Sequence, residues 1–341
     1  MSTAIGNEES PGIQAIPATS NELLLIDSHA FPGDRRFFIT KTKADPGIGE
    51  FDPGKIKRKI TVAVASGKGG TGKTTVAVSL ALCAGIGTQL LDCDVEEPNA
   101  HIFINPKIRK REPVTMPVPF LDEKKCTGCE KCSGICEFNA IAFLKKPLFI
   151  SELCHSCGLC VKICPEGAIT EIKKDIGALE IGVKGNIDFV SGCMNVGTAM
   201  SPPVIRAVKK RLENSAFRII DCPPGTACPF VTSVKNSDFV LLVTEPTPFG
   251  LHDMKLAIKV LKQLKLPFGI IVNKSVSDSD CIGKHCSTEK IPLMMRIPEE
   301  RRIAEAYSCG ISLAESMPEI RNKFETLITD IKKIVKEKNL K

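Results

Sequence analysis

Apolar residues fall along this chain in short blocks separated by glycine-rich or polar turns. The first strong block, Ile60–Ala65 in KRKITVAVAS, is a continuous β-branched run of the kind carried by a strand buried on both faces. A glycine-rich turn follows, then Thr74–Ala84 reads as a helix and Gln89–Leu91 as a second strand. That order predicts a parallel sheet with right-handed crossovers. The rhythm stops near Lys107 and resumes after Ile176. It continues with a helix over Pro203–Leu212, strands over Phe217–Ile220 and Phe239–Val243, and a helix over Leu251–Leu264. Strands over Gly269–Val272 and Leu293–Ile297 follow, with helices over Glu299–Tyr307 and Pro318–Lys338. Residues 1–57 hold only short apolar runs, Leu23–Ile26 and Phe37–Ile39, and read as an N-terminal extension, partly ordered at best.

Composition changes this picture in one respect. With 43% hydrophobic and 25% charged residues, the 341-residue chain is ordinary for a globular protein, but it carries 16 cysteines. It shows no apolar run of about 18 residues and no secretory signal, so a cytoplasmic location is expected and metal ligation outranks disulfides. Net charge is +7, and the lysines of IKKIVKEKNLK read as the solvated face of a last amphipathic helix. No nucleic-acid partner and no stable membrane insertion are expected.

Between the first strand and helix stands Ser66-Gly-Lys-Gly-Gly-Thr-Gly-Lys-Thr-Thr75. Gly67, Gly72, Lys73 and Thr74 meet the phosphate-loop pattern G-x-x-x-x-G-K-[ST]. Gly67, Gly69, Gly70, Thr71, Gly72 and Thr75 would supply the backbone cradle for a nucleotide. Lys73 would reach the β- and γ-phosphates, and the Thr74 hydroxyl would hold Mg²⁺.

The additional Lys68 makes GKGGTGKT resemble the deviant Walker A motif of the MinD/ParA/Mrp and nitrogenase-iron-protein ATPases. The resemblance implies an ATP-hydrolysing homodimer in which Lys68 reaches the nucleotide of the other subunit. It extends to Leu90-Leu-Asp-Cys-Asp94, where Asp94 matches the water-positioning aspartate and Asp92 is either close to Mg²⁺ or structural. In FRIIDCPPG, Asp221 matches the aspartate that holds Mg²⁺ through water, and Asn273 in IVNK resembles the adenine-reading asparagine. The segment VTEPTPFGLHDM, Val243–Met254, also looks characteristic of such chains.

Eight cysteines lie between Lys107 and Ile176 as C-x₂-C-x₂-C-x₃-C twice over. This is the bacterial two-[4Fe–4S] ferredoxin run, in which the fourth cysteine of each run serves the other cluster. Cys126, Cys129, Cys132 and Cys164 would hold one cubane, and Cys154, Cys157, Cys160 and Cys136 the second. The first run has Glu137 where the pattern places proline, and zinc is the competing metal. Residues 58–106 and 177–341 are therefore expected to form an α/β P-loop ATPase with a mostly parallel sheet. Residues 107–176 are expected to form an inserted α+β ferredoxin-like domain. Of the other cysteines, Cys83, Cys93, Cys222 and Cys309 read as core residues, while Cys193, Cys228, Cys281 and Cys286 stay open.

The functional expectation is an ATPase, slow and Mg²⁺-dependent, whose nucleotide-driven dimerisation gates electron transfer or delivery of a metal cluster. The partner would be a redox protein or a protein that accepts a metallocluster. Two alternatives stand beside it: a non-hydrolytic electron carrier on a nucleotide-binding scaffold, and a positioning ATPase.

Overall fold

A computed structural model describes residues 59–211, 215–277 and 280–338. The expected N-terminal extension, residues 1–57, and Leu212, the expected end of one helix, lie outside the described residues. The chain begins with β1 (Ile60–Ala65), α1 (Lys73–Ala84), β2 (Thr88–Asp92) and α2 (Ala100–Ile104). The cysteine-rich region follows as β3 (Lys107–Leu121), α3 (Lys131–Gly134), β4 (Ile141–Phe143), β5 (Pro147–Phe149), α4 (Leu159–Ile163) and β6 (Ile169–Lys184). Next come β7 (Ile187–Met194), α5 (Pro202–Lys209), β8 (Phe217–Asp221), α6 (Cys228–Val234), β9 (Phe239–Thr244) and α7 (Pro248–Gln263). The chain closes with β10 (Phe268–Ser275), α8 (Cys281–Thr288), β11 (Leu293–Pro298), α9 (Arg301–Ser308), α10 (Leu313–Ser316) and α11 (Pro318–Lys338).

Among the described residues, nine strands form one sheet in the order β11-β10-β9-β1-β8-β2-β7-β6-β3. The seven from β11 to β7 are parallel, as the β–α–β rhythm predicts, while β6 and β3 are added antiparallel. Successive residues of the buried strands serve opposite cores, because side chains alternate across a sheet. Val62, Val64, Leu90 and Ile219 pack with α1 and α11 on one face. Ala63, Ala65, Leu91 and Ile220 pack with α5 to α8 on the other. Along α11 the buried residues Ile320, Phe324, Leu327, Ile331 and Val335 form the stripe expected of an amphipathic helix, while its lysines are exposed.

Three differences from the sequence expectation have physical causes. Helix α7 starts at Pro248, three residues early, because Thr247 caps it (Oγ1 accepts from the Gly250 N–H at 3.0 Å) and proline suits the first turn. The expectation contains no strand over residues 107–121, where Pro113, Pro117 and Pro119 argue against one. β3 tolerates them as the outermost strand of the sheet. β6 crosses the expected boundary at residues 176 and 177 without a break. Together β3 and β6 form a ribbon from Lys107↔Val183 at its base to Leu121↔Ile169 at its tip. A small core of Cys132, Ile141 and Ile169, with Leu121, Phe149 and Val161 against it, sits at that tip.

Among the remaining cysteines, Cys93 and Cys222 are buried as expected, whereas Cys309 is exposed rather than in the core. Cys286 is buried in the core beside α7, and Cys193 and Cys228 are exposed.

Candidate functional site

β1 delivers the phosphate loop to the carboxyl edge of the sheet, and α1 begins at Lys73. Gly72 precedes the helix with φ +88°, a left-handed conformation that glycine adopts without penalty. No side chain caps this helix, so its first N–H groups remain available to an anion. Space is as restrictive as torsion. A methyl group on Gly72 would stand 2.3 Å from the Asn273 Nδ2, and one on Gly67 would stand 2.3 Å from the Asp253 carbonyl oxygen. Asn273 braces the loop directly, its Nδ2 donating to the Thr71 carbonyl at 2.9 Å. The Gly225 N–H ties the segment after β8 to the same loop through the Ser66 carbonyl (3.1 Å).

Two aspartates, Asp94 and Asp221, stand against this loop, and Asp92 lies beside them. Asp92 and Asp221 are register partners at the ends of β2 and β8. Asp92 is an organiser: its Oδ1 accepts from the Asp94 N–H and its Oδ2 from the Ala100 N–H, both at 3.1 Å. Burial and the nearby Asp221 push its carboxyl well above the usual range. Asp94 stands 3.9 Å from the Lys73 ammonium, a side chain only 6% exposed. Burial raises Asp94 to about 6, against the pull of Lys73. Asp221 is fully buried, and neither oxygen accepts a hydrogen bond of normal geometry. Burial raises it to about 7, opposed by the Lys73 charge and the neighbouring Thr74 hydroxyl. A buried carboxylate left unsatisfied beside a hydroxyl fits a Mg²⁺ site, since the ion or its water would supply the missing partner.

Lys68 does not project freely. Its ammonium is bound by Glu245 Oε1, while Lys274 approaches Oε2 at 3.5 Å and donates to the Gly70 carbonyl at 3.3 Å. Burial works against ionisation of Glu245, but the two lysines outweigh it and hold its carboxyl below the usual range. Glu245 and Lys274 were not expected from the sequence as site residues, although Glu245 lies inside VTEPTPFGLHDM. The available signal was its place at the carboxyl end of a fully buried strand, the edge where the phosphate loop also emerges.

In the cysteine-rich region, two cavities divide the eight thiols. One is lined by Cys136, Cys154, Cys157 and Cys160, together with Pro117, Pro119 and Glu171 of the ribbon. The other is lined by Cys126, Cys129, Cys132 and Cys164, with Leu121 and Ile169 from the ribbon tip. Each cavity thus takes three cysteines from one run and the fourth from the other. Among the described residues, no three His, Cys, Asp or Glu side chains converge as they would on a single metal ion. Four thiols set around a space suit a body larger than one ion. Phe138 and His155, which also line the first cavity, stack face to face at 3.7 Å.

Residues 62–313 match the CobQ/CobB/MinD/ParA nucleotide-binding domain. A protein of Methanocaldococcus jannaschii is 33% identical over 274 residues, covering 78% of this chain and 95% of its own. The iron–sulfur cluster carrier protein of Pyrococcus horikoshii is 26% identical, covering 86% of this chain and 97% of its own. Among solved structures, the cell division ATPase MinD of Pyrococcus furiosus aligns with 22% identity over 81% of this chain and 99% of its own, at a TM-score of 0.48.

Proposed function

Because the chain belongs to the CobQ/CobB/MinD/ParA family of nucleotide-binding proteins, we propose that it is a Mg²⁺-dependent ATPase whose nucleotide state gates a two-[4Fe–4S] module. The output is electrons, or a metal cluster, passed to a partner protein. One observation carries this reading: the eight cysteines divide into two rings of four, with Cys136 and Cys164 exchanged between the runs, in the same chain as the phosphate loop. That exchange is the ligation pattern of two-cluster ferredoxins, and zinc ribbons do not require it.

The Gly67–Thr75 loop and the start of α1 bind the nucleotide phosphates, with Lys73 at the β- and γ-phosphates. Thr74 and Asp221 would hold Mg²⁺, which would neutralise charge on the phosphates. Asp94 orients the attacking water, and Asp92 fixes the Asp94 backbone. In a homodimer Lys68 leaves Glu245 and stabilises charge on the transferring phosphoryl group of the partner subunit. Bound cubanes supply low-potential one-electron chemistry. The similarity to a protein named an iron–sulfur cluster carrier supports the cluster-delivery form of the output.

The test is an anaerobic preparation assayed for metal and for phosphate release. About eight irons per chain and a Lys73-dependent ATPase are expected. Zinc in place of iron would sink the cluster assignment, and phosphate release unchanged by Lys73→Ala would sink the ATPase assignment.

A further inference from the structure

The β3–β6 ribbon leaves the sheet at a defined rung. β6 pairs with β7 from Lys184↔Ile187 as far as Gly177↔Met194, and beyond that point it pairs with β3 alone. At the same place the β3–β6 register slips: Val114 faces Gly177, Thr115 faces Asp175, and Ile176 has no opposite number. A bulge of this kind sharpens the local twist and re-aims whatever the strand carries.

The bulged residue is held from the nucleotide side. Its carbonyl accepts from the Asn195 N–H at 2.9 Å and from the Thr198 hydroxyl at 3.3 Å. The Asn195 side-chain amide donates to the adjacent Asp175 carbonyl at 3.3 Å. One residue back, the Met194 N–H donates to the carbonyl of Val95 at 2.8 Å, and Val95 directly follows Asp94. The packing there is too tight to absorb a shift. A methyl group on Gly192 would stand 2.8 Å from Val95 Cγ1, and one on Gly177 would stand 2.4 Å from the Cys193 carbonyl oxygen.

We infer that the Ile176 bulge is a joint, and that Asn195 is a positioning residue linking the Asp94 loop to the ribbon that carries the two cysteine cavities. The inference rests on the gated-module reading above and gives it a physical route. A displacement of the Asp94–Val95 backbone on nucleotide binding pulls Met194, and the Asn195–Thr198 turn passes it to the Ile176 carbonyl. The ribbon tip beyond Val118 then swings: past the Gly177 rung β3 and β6 have lost the pairing with β7, and beyond the joint only Met116 and Val118 still pack into the core below. A two-position element biased from one end is what such a link requires.

The test is hydrogen exchange on the full, iron-loaded chain, with and without Mg²⁺ and a non-hydrolysable ATP analogue. In the native protein, amides of the phosphate loop and of ribbon residues 170–176 are both expected to change exchange rate, the ribbon by roughly fivefold, as gain or loss of one hydrogen bond would give. Asn195→Pro removes both Asn195 donors, and Met194 before it is already extended, as a residue preceding proline prefers. It is expected to keep the phosphate-loop response and lose that of the ribbon. Asn195→Ala retains the backbone donor and should retain a ribbon response. Thr198→Val, which removes a single hydroxyl, should diminish that response and serves as the deciding variant if the proline chain proves unfolded. A native ribbon that stays silent while the phosphate loop responds overturns the joint and leaves the nucleotide reading standing, as does a full ribbon response in Asn195→Pro. A phosphate loop that fails to respond overturns both.

Discussion

Lys68 is bound within its own chain by Glu245, a residue 177 positions further on. The two side chains are 29% and 15% exposed, so the pair contributes ~1 kcal/mol or less. The contact is cheap to break, which suits the proposed departure of Lys68 to another subunit. Glu245→Gln is expected to leave thermal stability nearly unchanged and to raise ATP turnover by up to about fivefold, the equivalent of that ~1 kcal/mol. Lys68→Ala should retain nucleotide binding and lose ~10³-fold in turnover, as removal of an arginine finger does. Equilibrium titration alongside phosphate release separates the two effects.

Asp221 carries an opposite trade. Its carboxyl is raised to about 7 by burial, and Asp94 to about 6. Their folded pKa values exceed the unfolded ones, so the native state holds these protons more tightly, and the stability this gives is lost as pH rises from about 4 to 7. Asp221→Asn should therefore stabilise the nucleotide-free protein at pH 8, by ~1 kcal/mol or more, with the gain shrinking as pH falls toward about 4. The same substitution should abolish hydrolysis. A melting temperature that falls at pH 8 would refute the assignment of Asp221 as an uncompensated buried charge.

Acidification should reduce phosphate release below about pH 7 as Asp94 and Asp221 take up protons. Raising Mg²⁺ should shift that midpoint to lower pH, because the cation competes with the proton for the Asp221 site. A profile whose acid limb ignores Mg²⁺ would place the titration elsewhere.

The glycines of the phosphate loop should not behave alike. Gly67→Ala drives a methyl group toward the Asp253 backbone and should cost about 1–3 kcal/mol together with nucleotide affinity. Gly69 has nothing within 4 Å of the added carbon and no left-handed torsion. Gly69→Ala should fold and melt like the native protein. Thermal melts of the two variants check the contrast.

The proposed crossed ligation makes a specific expectation for Cys164→Ser. It should remove the cluster of the Cys126 cavity and spare the cavity lined by Cys154, so iron falls by about half. Cys309→Ser, at an exposed position outside both cavities, should leave iron unchanged. Metal analysis with low-temperature magnetic resonance decides.

The parallel sheet and phosphate loop were legible because each depends on local order: a β-branched block, a glycine turn and a helix in succession. The grouping of the eight cysteines about two cavities was legible because cysteine spacing is a chemical constraint and not a propensity. The ribbon was not legible, because the prolines that argue against a strand are harmless only at a sheet edge, and edge position is set by tertiary pairing. Glu245 was hidden for a related reason. An isolated acid after a strand has no pattern, and its partner Lys68 is brought to it only by the adjacency of β1 and β9. The exposure of Cys309 follows from its place after α9, at a turn through Gly310.

The base of the ribbon places Lys107 beside Val183, so the cysteine-rich segment begins and ends at one spot on the rim of the sheet. None of the seven parallel strands is interrupted by it. In evolutionary terms such a segment would behave as a cassette: gaining or losing it in a single recombination event would leave the connectivity of the parallel strands as it was. Chains that share this sheet order should therefore occur both with and without the eight cysteines, and those lacking them should join the end of α2 to the start of β7 by a plain hairpin or a short loop.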